Sequence, residues 1–240
     1  MTVRRLIWTI IFVGLVGGAI WFWIWSNQIM YAEQSSLDQV QQNPLIAIRE
    51  TDRSVIMSSQ DYDAKTGLIF LPGAKVDPKA YLYKLSGIVE KTGITVVIAK
   101  SAFHLPLFDL RPIATFTNDV NGINKWYVGG HSLGGVRACQ YAADTSNRLT
   151  GLILLGSYCN TDVSIPTLSI SGGRDALTTP QAQSDARRYL KGVVTTYDID
   201  NASHASFGDY GAQSGDGTAA IDDEFMRLEL TDQLVDWLSR

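Results

Sequence analysis

The stretch KWYVGGHSLGGVRACQYAADTS (125–146) changes its period in the middle. Trp126–Val128 is a short apolar run of the kind that reads as a buried strand, and from Leu133 the pattern becomes helical. Between them Gly130-His131-Ser132-Leu133-Gly134 matches G-x-S-x-G. Strand, sharp turn and helix are the setting of a nucleophile elbow, which lifts a serine hydroxyl above the edge of a sheet. The glycines have a steric reason: so tight a turn leaves no room for side chains two positions either side of the serine. Ser132 also opens a helix, whose dipole favours developing negative charge. Ser132 is therefore the candidate nucleophile, and His131, inside the motif, is read as structural.

Outward from this stretch the alternation continues. The runs SVIMSS (54–59), GLIFLPG (67–73), ITVVIAK (94–100), GLILLGSY (151–158), TLSISGG (167–173) and VVTTYDI (193–199) read as strands. Several are almost wholly apolar, as strands covered on both faces are. Helical patterns separate most of them. DPKAYLYKLSGIVEKTG (77–93) has Asp77 as cap, Pro78 at the first helical position and Gly93 as stop. TPQAQSDARRYLKG and EFMRLELTDQLVDWL supply two more helices. Such alternation predicts an α/β fold with a mostly parallel, doubly wound sheet. The runs before Gly67 lack a helix between them and are expected to form an antiparallel edge.

A serine hydroxyl needs a base, and the base needs an orienting acid. In this architecture the chain order is Ser, acid, His. His204, in the loop NASHASFG after the last strand-like run, fits the base. Asp175, at the end of TLSISGGRD, fits the acid, with Asp198, Asp200 and Asp209 as nearby competitors. The oxyanion hole needs two backbone N–H donors. Leu133 follows the nucleophile; Ala74 is expected to supply the second, with Lys75 as the alternative. Lys75, Phe103, His104 and Phe207 are the candidate substrate contacts. The acids of GDYGAQSGDGTAAIDD read as a solvated loop rather than a calcium site, because EF-hand spacing is absent.

The chain has 240 residues, enough for one domain with an appendage, and 45% hydrophobic residues exclude a disordered chain. A net charge of −4 speaks against nucleic acid as partner, and two cysteines with three histidines against a metal cage. The appendage is apparent at once: LIWTIIFVGLVGGAIWFWIW, from Leu6 to Trp25, has no charge and spans roughly 30 Å as a helix. Residues 1–25 read as a single transmembrane anchor, 26–44 as a polar linker or amphipathic stem, and 45–240 as the catalytic domain. Arg4 and Arg5 precede the span and Trp21, Trp23 and Trp25 crowd its far end, which predicts an extracytoplasmic domain. A cleaved secretory signal is the alternative, but its best site would put Met30 where a small residue belongs. Cys139 and Cys159 are expected to be buried free thiols.

LPGAKVDPKAY (71–81), GGHSLGG (129–135), GLILLGSY, SISGGRDALTTP (169–180), ASHASFGDYG (202–211) and the GDGTA after it resemble the alpha/beta hydrolase fold-5 family. These are serine hydrolases distantly similar to dienelactone hydrolases and small esterases. The resemblance covers most of residues 50–240 and implies the same triad, Ser132, Asp175 and His204, with Ser-dependent hydrolysis of an ester. It departs from dienelactone hydrolases proper, whose nucleophile is Cys, and has Pro72-Gly73 where a His-Gly is familiar. Only CNTDVSIP (159–166) separates GLILLGSY from TLSISGG, too little for a large cap domain. The expectation is a serine hydrolase of carboxylic esters or thioesters, with short to medium acyl chains. It needs no metal or organic cofactor. Its partners would be a small-molecule ester and, through the N-terminal helix, a membrane. Acyl transfer or peptidase action on the same triad, or a non-catalytic envelope binding module, are the alternatives.

Overall fold

Leu68 and Phe70 are buried on one side of a sheet, and Ile69 and Leu71, between and beyond them, on the other. Val96 and Ile98 alternate with Val97 and Ala99 in the same way, as do Ile153 and Leu155 with Leu152 and Leu154. Side chains of a strand point to opposite faces, so runs apolar at every position require cover on both. The computed structural model, which describes residues 3–61 and 65–240, supplies that cover.

The strands are β1 (Ile46–Glu50), β2 (Ser54–Ser59), β3 (Thr66–Leu71), β4 (Thr95–Ala99), β5 (Lys125–His131), β6 (Gly151–Leu155), β7 (Thr167–Gly172) and β8 (Val194–Ile199). Among the described residues they form one sheet in the order β1-β2-β4-β3-β5-β6-β7-β8. β2 runs antiparallel to β1 and to β4, and every other pairing is parallel. The antiparallel edge is where the missing helix places it. Strand β1, which the apolar runs do not reveal, completes that edge.

The helices are α1 (Val3–Ser26), α2 (Gln34–Gln41), α3 (Leu82–Thr92), α4 (Ala114–Thr117), α5 (Leu133–Ala143), α6 (Pro180–Ala186) and α7 (Asp223–Leu238). Leu85 and Ile88 of α3, Leu230 and Leu234 of α7 and Val40 of α2 cover the Phe70 face, while Ala138, Cys139 and Ala142 of α5 cover the Ile69 face. Asp77 accepts the Lys79 N–H at 2.9 Å, so the helix expected from there opens as a tight turn, Pro78–Tyr81, before α3. It ends at Gly93, whose φ of 70° satisfies the left-handed cap.

Two segments show features that the apolar runs do not reveal. The polar stretch 26–44 holds α2, with Ser36 and Val40 buried, and is hydrogen-bonded to the domain from Met30 onward. Cys139 and Cys159 are joined in a disulfide, with their Cα atoms 5.5 Å apart, and are not free thiols. The cause is the connection from β6 to β7. With no helix there, residues 156–166 double back down the sheet face beside α5, which brings Cys159 and the buried Val163 against Cys139. Helix α1 is exposed along nearly all its length, and is long and apolar enough to cross a membrane.

Candidate active site

Strand β5 ends at His131 and α5 begins at Leu133, so Ser132 alone makes the turn. It does so at φ 52° and ψ −128°, a backbone region that non-glycine residues seldom occupy. The glycines make the turn possible. A Cβ at Gly130 would overlap the Gly134 backbone, and one at Gly134 would overlap the carbonyls of Leu71 and Pro72. The Ser132 N–H donates to Leu155 O at 3.2 Å, and Ser157 Oγ donates to Ser132 O at 2.7 Å. The elbow is thereby tied to the end of β6.

The candidate acid and base come from the ends of the next strands. Asp175, 3% exposed, follows β7, and His204, 1% exposed, follows β8. His204 Nδ1 donates to Asp175 Oδ2 at 2.8 Å. Asp175 Oδ1 accepts the N–H groups of Leu177 at 2.9 Å and Thr178 at 2.6 Å. With Nδ1 carrying the proton, His204 Nε2 keeps its lone pair. The rings of His204 and His131, the residue before Ser132, have their centroids 4.4 Å apart, so all three residues gather at the carboxyl edge of the sheet. No hydrogen bond joins the Ser132 hydroxyl to His204 among the described residues. The competitors of Asp175 are placed elsewhere: Asp198 accepts from Ser171 Oγ, and Asp209 pairs with Lys84 at 2.6 Å.

Around the serine, the loop after β3 passes close. A Cβ at Gly73 would lie 3.5 Å from Ser132 Cβ and 3.1 Å from His131 Nδ1. Tyr81 Oη accepts the Gly73 N–H and donates to His131 Nδ1, both at 2.9 Å. Burial, reinforced by the neighbouring His204, holds the His131 ring well below the ordinary histidine range, so it is neutral. Its role is to brace the elbow against the β3 loop. The N–H groups of Ala74 and Leu133 have no hydrogen-bond acceptor among the described residues, as an oxyanion pair requires. Lys75 N–H is not available, since it donates to His104 O at 2.7 Å.

The candidate substrate contacts separate. Phe103 and His104 lie on the loop after β4, both at positive φ, with Phe103 exposed and His104 half-buried. Burial lowers the His104 pKa despite Asp77 nearby. Lys75 sets its ammonium 4.3 Å from the centre of the Trp25 ring. Phe207 is fully buried, 5.7 Å from the His131 ring centre, and presents no surface to solvent.

Sequence reasoning missed Asp216. Its Oδ1 accepts the N–H groups of His204 at 3.1 Å and Ala176 at 3.3 Å, and Oδ2 that of Ala205 at 2.8 Å. One carboxylate thus fastens the acid loop to the histidine loop. Burial alone would raise its pKa, but these donors and Gly217 N–H outweigh it and hold it below the usual value. The only signal was the motif GDGTA itself. The other acids of that stretch have separate work: Asp222 caps α7 by accepting Phe225 N–H, and Asp223 pairs with Lys84 at 2.7 Å.

The comparisons agree with this architecture. The structure is similar to Est1E from Butyrivibrio proteoclasticus, with a TM-score of 0.56 and 11% identity over 81% of this chain and 99% of that one. The same protein with ferulic acid bound gives a TM-score of 0.58 at 11% identity, over 81% of this chain and 100% of that one. An S-formylglutathione hydrolase from Agrobacterium tumefaciens gives 0.53 at 10% identity, over 80% of this chain and 92% of that one. At such identities the likeness is one of fold. No curated protein matches in sequence. The sequence profile described as the alpha/beta hydrolase family matches residues 67–227, the span from β3 into α7 that carries the elbow, the Asp175–His204 pair and Asp216, and the chain therefore belongs to the alpha/beta hydrolase family.

Proposed function

We propose that the protein is a serine hydrolase of carboxylic esters or thioesters, anchored in a membrane by α1 with its domain on the extracytoplasmic side. Ser132 Oγ attacks the substrate carbonyl carbon while His204 Nε2 takes its proton. Asp175 keeps the imidazole in the productive tautomer and stabilises its cation. The Leu133 and Ala74 amides receive the oxyanion. His204 returns the proton to the leaving alcohol or thiol, and water, activated by the same imidazole, releases the acyl group. The observation that carries this reading is the 2.8 Å pairing of a buried histidine with a buried aspartate beside a serine at positive φ. An unliganded site in which serine and histidine are not yet hydrogen-bonded is compatible with it, because such bonds often tighten only around substrate.

The test is labelling by a fluorophosphonate probe together with p-nitrophenyl ester turnover. Ser132→Ala should abolish labelling and lower kcat/KM by about 10⁴-fold or more. Labelling that persists in the variant would refute the assignment. The short β6–β7 connection supports a site without a cap, so among dissolved esters a four-carbon chain should be turned over faster than a sixteen-carbon one. The reverse order would contradict that.

A further inference from the structure

Helix α1 is not a loose tether. Between Val3 and Trp25 every residue is exposed except Phe22. Its ring stands edge-on to Phe103, 5.5 Å away between centroids, and to Phe108, 6.4 Å away. Lys75 lies over Trp25, and Ser26 is fully buried. Only Asn27, Gln28 and Ile29 then intervene before Met30 joins the domain. Met30 N–H donates to Lys75 O at 2.7 Å, and Met30 O accepts Asp77 N–H at 2.9 Å. The last turn of α1 is therefore fastened to the loop that carries Ala74 and stacked on the loop after β4. The first borders Ser132, and the second is hydrogen-bonded to the first through Lys75 N–H and His104 O and packs against α5.

The same edge exposes apolar side chains. Phe103, Leu107, Phe108 and Leu110, the last 82% exposed, follow β4; Leu133, Tyr158 and Leu177 follow β5, β6 and β7. In 101–110 the one acid, Asp109, is buried and bridged by Arg111 at 2.5 Å, so the loop presents no carboxylate outward. Depth follows from helix geometry. Phe22 lies four residues before the end of α1, about 6 Å along its axis, among the indoles of Trp21, Trp23 and Trp25. Tryptophans of a spanning helix favour the boundary between headgroups and acyl chains. Phe103 and Phe108, packed on Phe22, share that level.

We infer that the rim formed by residues 103–110 with Leu133, Tyr158 and Leu177 dips into the leaflet on the domain's side, and that the site takes a lipid carboxylic ester directly from the bilayer. This rests on the esterase reading of Ser132. The lipid tail stays in the leaflet while its ester carbonyl rises to Ser132, so no cap is needed to shelter a long chain. Ser132 Oγ bonds to the acyl carbon, the lipid alcohol leaves with the proton from His204, and water hydrolyses the acyl-enzyme to a carboxylic acid.

The full chain is reconstituted in phosphatidylcholine vesicles and assayed with dissolved p-nitrophenyl butyrate and with dioleoylglycerol held in the bilayer. Two variants are compared: Leu110→Glu, and a flexible Gly/Ser insertion of about twenty residues after Asn27, which keeps the anchor but frees the domain from it. Both should retain butyrate turnover and lose oleate release by about tenfold or more. Oleate release that is absent from the parent, or unchanged in both variants, while butyrate is still hydrolysed, overturns the inference alone. Loss of butyrate turnover in the parent overturns the esterase reading and this one with it. A fluorophore on Leu110→Cys should be quenched by nitroxide lipids, and one on Lys125→Cys, at the opposite edge of the sheet, should not. Equal quenching at the two positions, or crosslinking of Leu110→Cys copies to each other in place of quenching, also overturns it.

Discussion

Ser132 sits at a φ where its own Cβ is crowded, a strain of about 1–3 kcal/mol that the surrounding contacts must hold in place. Gly134 is the position where that support is most exacting. Gly134→Ala would push a methyl group into the Leu71 and Pro72 carbonyls, so the elbow or the β3 loop must move. We expect turnover to fall below one-hundredth and the fold to lose roughly 2–4 kcal/mol, measured by ester hydrolysis and urea unfolding. Asp216 acts at a different point, through backbone N–H groups of the loops that present Asp175 and His204. If Asp175 and His204 act as proposed, Asp216→Ala should lower kcat by about tenfold with little change in KM, since it shifts the loops that hold that pair and leaves the substrate pocket itself unchanged. Its folded pKa lies below the unfolded value, so it stabilises the fold above pH 4 and this contribution fades as pH falls through the folded pKa. The variant's stability deficit should therefore be full at pH 7 and shrink toward pH 3. That Asp175 and His204 pair at the sheet edge that carries Ser132 was legible, because strand order and chain order together restrict where the loops after β5, β7 and β8 can lie. Asp216 was not, because the partners through which it joins the two loops are main-chain atoms 11 to 40 residues away, which leave no mark on side-chain pattern.

Elements are held to one another by two devices that differ in legibility. Lys84 of α3 is completely buried between Asp209 and Asp223, and so clamps the start of α7 to α3 and to the loop after His204. Burial raises the Asp209 pKa to about 6, with Lys84 opposing the rise. Lys84→Met would leave Asp209 buried without its cation, at a cost of about 3–5 kcal/mol. Only ionised Asp209 needs that cation. The deficit should thus be largest at pH 8 and smaller at pH 5, below the Asp209 pKa, as followed by denaturant unfolding. A deficit that grows toward pH 5 would contradict this. The Cys139–Cys159 bond ties α5 to the descending 156–166 segment across 20 residues. Changing both to Ser should cost about 3 kcal/mol by the loop-entropy argument, a fall in Tm of roughly 5–10 °C. Periodicity finds helices and strands, and it found α3, α5, α6, α7 and all seven strand-like runs in their places. It does not see a connection folding back, which is why the two cysteines read as distant. Helix α2 and strand β1 escaped for a related reason: QSSLDQVQ and IAIRE each bury only part of one face at the sheet's margin, so their apolar signal is short.

At the scale of the whole molecule, helix α1 and the domain are packed on one another. A signal peptide is removed, so nothing in the mature domain would be built to receive it. Here Phe22 is packed on Phe103 and Phe108, Trp25 lies under Lys75, and Ser26 is buried, contacts that accord with the proposal that α1 is retained. We expect the membrane fraction to contain the uncleaved chain at 26.4 kDa, read by intact mass, and to resist extraction by high salt and alkali. A shorter species starting beyond Ser26 would show that the helix is a signal. The charge pattern, with Arg4 and Arg5 before the span, and a disulfide, which persists in oxidising surroundings, both favour a domain outside the cytoplasm. Protease added to intact cells or spheroplasts should then degrade the domain, while Cys139 and Cys159 should resist thiol alkylation until a reductant is added. A domain protected from protease and alkylated without reduction would reverse the topology.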